Sequence, residues 1–375
     1  MSKSKVCVMT SVHPPFDVRI FHKQCRTLVQ AGYDVTLVVP HEKDESVAGV
    51  KIRAVPKPAN RKKRFIKTGY QVYRKALQIN ADIYHIHDPE LIPYAQLLRI
   101  HHKKVIYDMH ENVPRSILTK DWISPGKRKW LARLVYSVEH FLLSGLHVVF
   151  AETSYKKDYP WVANGIDVLN MPDVEYLLTL DTSKKAEHLA IGYIGGVAPE
   201  RGSIAMLEGI ALIQQTGINC SFHCVGPIDA QHLKELKAKI DELSLNEIHL
   251  YEYMLPAQAW DIIRQCHVGM AILKPIPNYY ESYPTKMFEY MALGIPVITS
   301  NFPLYREVIE NYHCGICIDP ESPQAIADAI EYLNGNQLEF QEMGNNGRMA
   351  VMEKYNWKTE AKKLLTLYKE LLDER

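Results

Sequence analysis

Glu281 and Glu289 stand eight positions apart in the run Glu281-Ser-Tyr-Pro284-Thr-Lys286-Met-Phe-Glu289-Tyr-Met-Ala-Leu-Gly294-Ile-Pro296-Val-Ile298. Pro284 suits the opening of a helix, where its missing N–H has no partner to lose. Glu281 then lies in the loop facing that helix's N-terminus, and Glu289 about one and a half turns inside it. Gly294 and Pro296 stop the helix, and Val297-Ile298-Thr299 reads as the next buried strand. A strand, a carboxylate-bearing loop and a helix N-terminus make a site for a polar, phosphate-bearing ligand. The alternative is an amphipathic helix whose acids are simply solvated.

Other strand ends offer related chemistry. Gly192-Tyr-Ile-Gly195-Gly196 closes one strand, followed by Val-Ala-Pro-Glu200-Arg201-Gly202 and a helix. Gly195 and Gly196 let the backbone approach a phosphate, and Arg201 near the helix start can pair with it. The same glycines also fit a plain tight turn. The spacing is not G-x-G-x-x-G, which disfavours a dinucleotide enzyme. Val225-Gly226-Pro227 and Tyr253-Met-Leu255-Pro256 mark two further strand ends whose backbone groups could hold a nucleobase edge.

In the first half, Tyr84-His85-Ile-His87-Asp88-Pro89 and Tyr107-Asp108-Met-His110-Glu111-Asn112 end two strands. An imidazole there can bond a hydroxyl or move a proton. His85 alternates with Ile83 and also fits core packing, which leaves His110 the sharper candidate. No zinc-binding spacing occurs, and no metal is expected. The loop Ser11-Val-His13-Pro-Pro-Phe-Asp17-Val-Arg19 is stiffened by two prolines. Asp17, Arg19 and His87 suit an acceptor side, although Asp17 could equally be an N-cap. No D-x-D triplet occurs, so a diphosphate would be held by cations and helix dipoles instead.

Apolar strand-like runs alternate with helical patterns, which predicts parallel sheets covered by helices on both faces. The strands expected are Val6–Thr10, Val35–Val39, Ile83–His87, Val105–Asp108 and Val148–Ala151. The series restarts at Leu189–Ile194 and runs through 221–225, 248–251, 268–273, 297–299 and 315–318. The polar stretch Asp173–Lys185 reads as a linker. The domains expected are 1–175 on the acceptor side, 186–355 for the donor, and a helix 356–375 returning to the first. Two such α/β domains would face each other across a cleft at their strand C-termini.

The chain has 375 residues, 47% of them hydrophobic and 23% charged, in the range of a soluble globular protein. It shows neither a membrane-length apolar run nor a signal-peptide pattern. Seven scattered cysteines suggest reduced thiols in a cytoplasm. Cys314-Gly-Ile-Cys317 reads as buried strand rather than a redox pair. The net charge of +1 hides an asymmetry. Residues 1–175 carry 27 Lys+Arg against 17 Asp+Glu, a net +10, and the remainder 17 against 26, a net −9. Basic, aromatic segments at 61–75 and 127–133 could rest on an anionic membrane surface, or be solvated helix faces. No nucleic-acid-binding motif is present.

With these residues in hand, the chain resembles the family-4 retaining glycosyltransferases of the GT-B fold along nearly its whole length. The Glu281–Ile298 run carries the resemblance most specifically. Asp17-Val-Arg-Ile-Phe-His22, Ala31-Gly-Tyr-Asp-Val35, His85-Ile-His-Asp-Pro89, Asp108-Met-His-Glu111, Asn170-Met-Pro-Asp173 and Tyr355-Asn-Trp357 support it. The resemblance implies that Glu289 bonds the ribose of a sugar nucleotide and that Glu281 lies beside the transferred sugar's hydroxyls. It implies that Arg201 and Lys286 neutralise the departing diphosphate and that His110 bonds the sugar near the reaction centre. Many members carry a second cation where this chain has Gly196, which puts more weight on Arg201 and Lys286.

The expectation is a metal-independent transferase without cofactor. It would move a sugar from a nucleoside diphosphate, UDP foremost, to a glycan or lipid-linked acceptor in cell-surface polysaccharide synthesis. Its expected place is the cytoplasm, at the inner face of the membrane. The rivals are a sugar-nucleotide epimerase or hydrolase and a non-catalytic glycan- or nucleotide-binding protein.

Overall fold

The computed structural model describes residues 3–58, 60, 67–120 and 123–373. The chain forms two compact units, Met1–Asn170 with Glu360–Arg375, and Met171–Thr359. The division falls at Asn170/Met171, a few residues before the polar stretch read as a linker. That stretch contains the short helix Glu175–Thr179 and belongs to the second unit.

In the first unit the strands are β1 (Lys5–Met9), β2 (Asp34–Pro40), β3 (Glu45–Val47), β4 (Val50–Val55), β5 (Ile83–Ile86), β6 (Lys104–Met109), β7 (His147–Phe150) and β8 (Gly165–Asp167). Their order is β3-β4-β2-β1-β5-β6-β7-β8, parallel except for the β3/β4 pair. Sequence reading missed β3, β4 and β8. Two of these are three residues long, too short for a period-2 signal, and β4 (Val-Lys-Ile-Arg-Ala-Val) sits at the sheet margin with one face half exposed. The second unit holds β9 (Leu189–Ile194), β10 (Cys220–Val225), β11 (Ile248–Tyr251), β12 (Val268–Ala271), β13 (Val297–Ser300) and β14 (Gly315–Ile318). All pair in parallel, in the order β11-β10-β9-β12-β13-β14.

The central strands β1, β5, β12 and β13 are buried along almost their whole length, as parallel strands covered on both faces must be. All seven cysteines are free, and Cys314 is buried in the core beside β14. The last helix, Trp357–Asp373, belongs to the first unit from Glu360 onward. Within that unit Glu360 accepts a bond from the Leu169 N–H at 2.8 Å, and the Tyr368 hydroxyl meets His85 Nδ1 at 2.8 Å.

One buried acid has a measurable consequence. Glu139, on the helix Pro125–Leu143, is buried and takes a 2.7 Å bond from the Tyr159 hydroxyl. Burial outweighs that bond and pushes its pKa up to about 7. The folded chain therefore binds a proton more readily here than the unfolded chain does. This stability is fully present below the ordinary carboxylate pKa and is lost as pH rises through about 7. Glu139→Gln should stabilise the protein relative to wild type at pH 8, by up to roughly 3 kcal/mol. The gap should close near pH 4.5; equal midpoints of urea unfolding at both pH values would refute the assignment.

Candidate functional site

In the second unit the short helix Thr285–Ala292 follows Pro284 and presents Lys286 inward. Its Nζ makes no hydrogen bond among the described residues and lies 3.6 Å from the centroid of the Tyr193 ring. Burial, and then the nearby Arg201 guanidinium, push the Lys286 pKa down to about 7, while Glu289 acts in the opposite sense. A buried cation with no carboxylate bonded to it costs several kcal/mol and is retained where an anion is to be received.

Lys286 and Arg201 converge on the turn after β9. A Cβ added at Gly195 would lie 3.3 Å from Lys286 Nζ and 3.9 Å from Arg201 Nη1, and one at Gly196 would lie 3.7 Å from Arg201 Nη1. Gly195 has φ +118°, a conformation L side chains rarely adopt. The next strand end presses on this turn: Gly226 has φ +144°, and a Cβ there would fall 2.1 Å from the Gly195 carbonyl oxygen. The two turns are also tied by Val197 N–H to Pro227 O at 3.0 Å. Below them the Tyr290 hydroxyl donates to Met270 O at 3.2 Å and accepts from Ile194 N–H at 2.9 Å. The helix that carries Lys286 and Glu289 is thereby pinned to β9 and β12.

Glu289 is half-buried, and Glu281 is half-buried just after the short helix Pro277–Tyr280. Leu255 is exposed at the N-cap of the helix Pro256–Ile263, and its carbonyl accepts from Ala259 N–H at 3.0 Å. A cavity of about 810 Å³ opens elsewhere in this unit, along β14 beside Arg306, His313 and Leu338. It contains none of the candidate residues and mixes acids with bases.

The first unit holds a separate polar cluster around Asp108. The loop acid Asp17 caps the helix Val18–Cys25, accepting from Arg19 and Ile20 N–H at 2.9 Å each. Burial opposes its ionisation, but His13 and the Ile20 N–H hold its pKa at about 2. The wide i→i+5 turn of that helix, with His22 N–H on Asp17 O, turns Arg19 inward. Arg19 grips Asp108 in a fork, at 3.1 and 2.9 Å, and donates to Val168 O at 2.8 Å. Gln24 also donates to Asp108.

Arg19 and His87, expected on an acceptor side, both belong to this cluster. Both are buried, Arg19 paired with Asp108 and His87 Nδ1 3.0 Å from His110 Nε2. Within the cluster Arg19 fixes Asp108, and His87 meets His110. Asp17 is the N-cap of its helix and is also bonded to a partly exposed His13. Burial drives the pKa of His85 down to about 4 and holds His87 well below the ordinary imidazole value. Burial also opposes the Asp108 charge, yet Arg19 leads the groups that keep it ionised.

His85, His87 and Asp108 each offer a ligand atom within 4.8 Å of the others. Arg19 bonds both Asp108 oxygens, and its guanidinium charge opposes a cation on the same carboxylate. Sequence reasoning missed Asp108 as the centre of the cluster. It sits at an inward position of β6, where a lone acid in an apolar strand was the available signal.

Comparison with known proteins places this geometry. Residues 18–159 match the family model described as glycosyl transferase 4-like domain, and residues 181–350 match glycosyl transferases group 1. The capsular polysaccharide biosynthesis glycosyltransferase CapM of Staphylococcus aureus is 23% identical over 195 residues, covering 50% of this chain and 48% of that protein. The phosphatidyl-myo-inositol mannosyltransferase of Mycobacterium leprae is 20% identical over 347 residues, covering 90% and 88%. Matches to the first curated relatives span about half of their length or less. Anabaena Alr3699/HepE, solved in complex with UDP and glucose, superposes with a TM-score of 0.70 at 13% identity, covering 98% and 100%. One model falls in each unit, the likeness to solved structures extends over nearly the whole chain, and the chain belongs to the glycosyl transferases group 1, with the GT-B fold.

Proposed function

We propose that the protein is a retaining, metal-independent glycosyltransferase. It moves a sugar from a nucleoside diphosphate, UDP foremost, to a glycan or lipid-linked acceptor in cell-surface polysaccharide synthesis. The observation that carries this is the buried Lys286 ammonium, without a hydrogen-bonding partner among the described residues, beside Arg201 at the Gly195–Gly196 turn. The names of the relatives and the UDP held by HepE support the donor class.

Breaking the anomeric C–O bond leaves negative charge on a diphosphate oxygen. Two preorganised cations in a dry pocket stabilise that charge as it develops. In this reading Glu289 bonds the ribose, Glu281 the sugar hydroxyls, and His110 the sugar near the reacting carbon. Retention follows if the acceptor attacks from the face the diphosphate leaves, which takes the acceptor proton. Arg201→Ala and Glu289→Ala should each reduce turnover at least about tenfold, about 1.4 kcal/mol of transition-state stabilisation. Full rates in either variant would sink the site. Loss of turnover in a chelator, restored by a divalent cation, would sink metal independence. Donor consumption without any acceptor would favour the epimerase or hydrolase reading.

The acceptor side of the proposal includes an anionic membrane surface at the inner face of the cell membrane. No helix among the described residues is long and apolar enough to cross a membrane. The helix Pro125–Leu143 instead exposes Trp130, Leu134, Val138 and Phe141, spaced so as to share one face, and Phe141 is 80% exposed. Lys127, Lys129 and Arg133 are exposed on the same helix. Such a face gains from both acyl burial and anionic headgroups. In the other basic segment, residues 61–66 lie outside the described residues. Trp130→Ser/Phe141→Ser should abolish low-salt co-sedimentation with anionic liposomes; unchanged binding would remove this helix from the proposal.

A further inference from the structure

A Ser–His–Glu relay lies directly behind the Arg201 turn. Ser203 opens the helix Ser203–Gln215, its Oγ 3.1 Å from the Ala198 carbonyl oxygen and 2.8 Å from His232 Nε2. His232, on the helix Ala230–Glu242, places Nδ1 3.0 Å from Glu235 Oε2. The order is that of a hydrolase nucleophile, base and acid, but Ser203 and His232 are only 4% and 5% exposed. A hydroxyl so enclosed meets no substrate. The relay is an anchor.

Counting protons gives the direction of each bond. The Ala198 carbonyl can only accept, so the single Ser203 proton goes to it. The Glu235 carboxylate can only accept, so His232 Nδ1–H donates to it and Nε2 is the ring nitrogen that faces Ser203 Oγ.

What the chain of bonds encloses is the turn Pro199–Gly202. Ala198 and Ser203 are its two ends, and the relay ties them to the neighbouring helix. Gly202, at φ +71°, packs where a Cβ would fall 2.7 Å from the Ile272 side chain. The Glu200 carbonyl accepts Lys274 N–H at 2.9 Å. Arg201 is therefore carried on a turn held from three sides, with its guanidinium aimed at Gly195 and Gly196.

We infer that Ser203, clamped by the His232–Glu235 pair, is a positioning residue that fixes the Arg201 turn for binding of a nucleoside diphosphate. The inference rests on the reading that Arg201 and Lys286 receive the donor's diphosphate. Placing a guanidinium beforehand removes the cost of ordering it when the anion arrives.

A double-mutant cycle on UDP affinity, read by calorimetry, tests it. Ser203→Ala should weaken UDP binding about tenfold, and Ser203→Thr, which keeps the hydroxyl, should stay within about twofold of wild type. In an Arg201→Ala background, Ser203→Ala should add less than about twofold, because the group it positions is gone. If Arg201→Ala leaves UDP affinity intact, the phosphate site and the clamp fall together. If Arg201→Ala weakens binding while Ser203→Ala does not, or the two effects add in full, the clamp alone falls. Should Ser203→Ala not fold, Glu235→Ala, at an exposed position, replaces it in the same cycle; full UDP affinity there overturns the inference.

Discussion

Lys286→Met loses about a hundredfold or more in kcat/KM for donor turnover, yet unfolds no more easily than wild type in the absence of ligand. The two halves of this expectation have one cause. The ammonium is buried over the Tyr193 ring with no hydrogen bond among the described residues, so the empty protein gains little from its charge. Methionine fills similar volume without that desolvation cost. When a diphosphate enters, the same charge becomes the most effective group in the pocket. A variant both inactive and strongly destabilised would instead mark Lys286 as structural.

The depressed Lys286 pKa adds a pH signature. Between about 7 and the ordinary lysine value, the unfolded chain holds a proton that the folded chain lacks. Unliganded stability therefore rises with pH across this window, and the burden of the charge is greatest below about 7. Bound diphosphate restores the proton. UDP binding at pH 8 to 9 should take up close to one proton per molecule, and affinity should fall by up to about tenfold per pH unit. Calorimetry in buffers of different ionisation enthalpy measures the uptake directly. Lys286→Met should abolish it; persistence of the uptake would assign the proton elsewhere.

The second large effect belongs to the first unit. Asp108→Ala leaves the buried Arg19 guanidinium without its carboxylate and should cost about 3–5 kcal/mol of stability, typical of a broken buried ion pair. Arg19 reaches Asp108 through both Nε and Nη2, and Gln24 donates to the same carboxylate, so no nearby group replaces it. Arg19→Met/Asp108→Leu removes both charges together and should recover most of the loss, as paired apolar replacements do. Guanidinium unfolding of the three forms decides the matter. Single and double variants of equal stability would show that the pair is not the keystone of the cluster.

The sequence by itself determined the α/β alternation, because buried parallel strands must be continuous apolar runs and their covering helices must be amphipathic. It also determined the Gly195–Gly196 turn and the Pro284 helix start, since backbone rules confine those residue types to few conformations. Short marginal strands such as β3 and β8 left no periodic signal. Only the tertiary structure decided which polar residues are free. Arg19, His87 and His110 all stand in the sequence as polar groups at strand ends or beside loops. Folding pairs the first with Asp108, buries the second, and leaves the third at the edge of their cluster. Likewise Lys286 and Arg201 are 85 positions apart, and only the packing of the Thr285–Ala292 helix against β9 and β12 brings their like charges together. Local sequence fixes which groups a segment carries; whether a charge is spent on a neighbour or held ready for a ligand depends on contacts between distant segments.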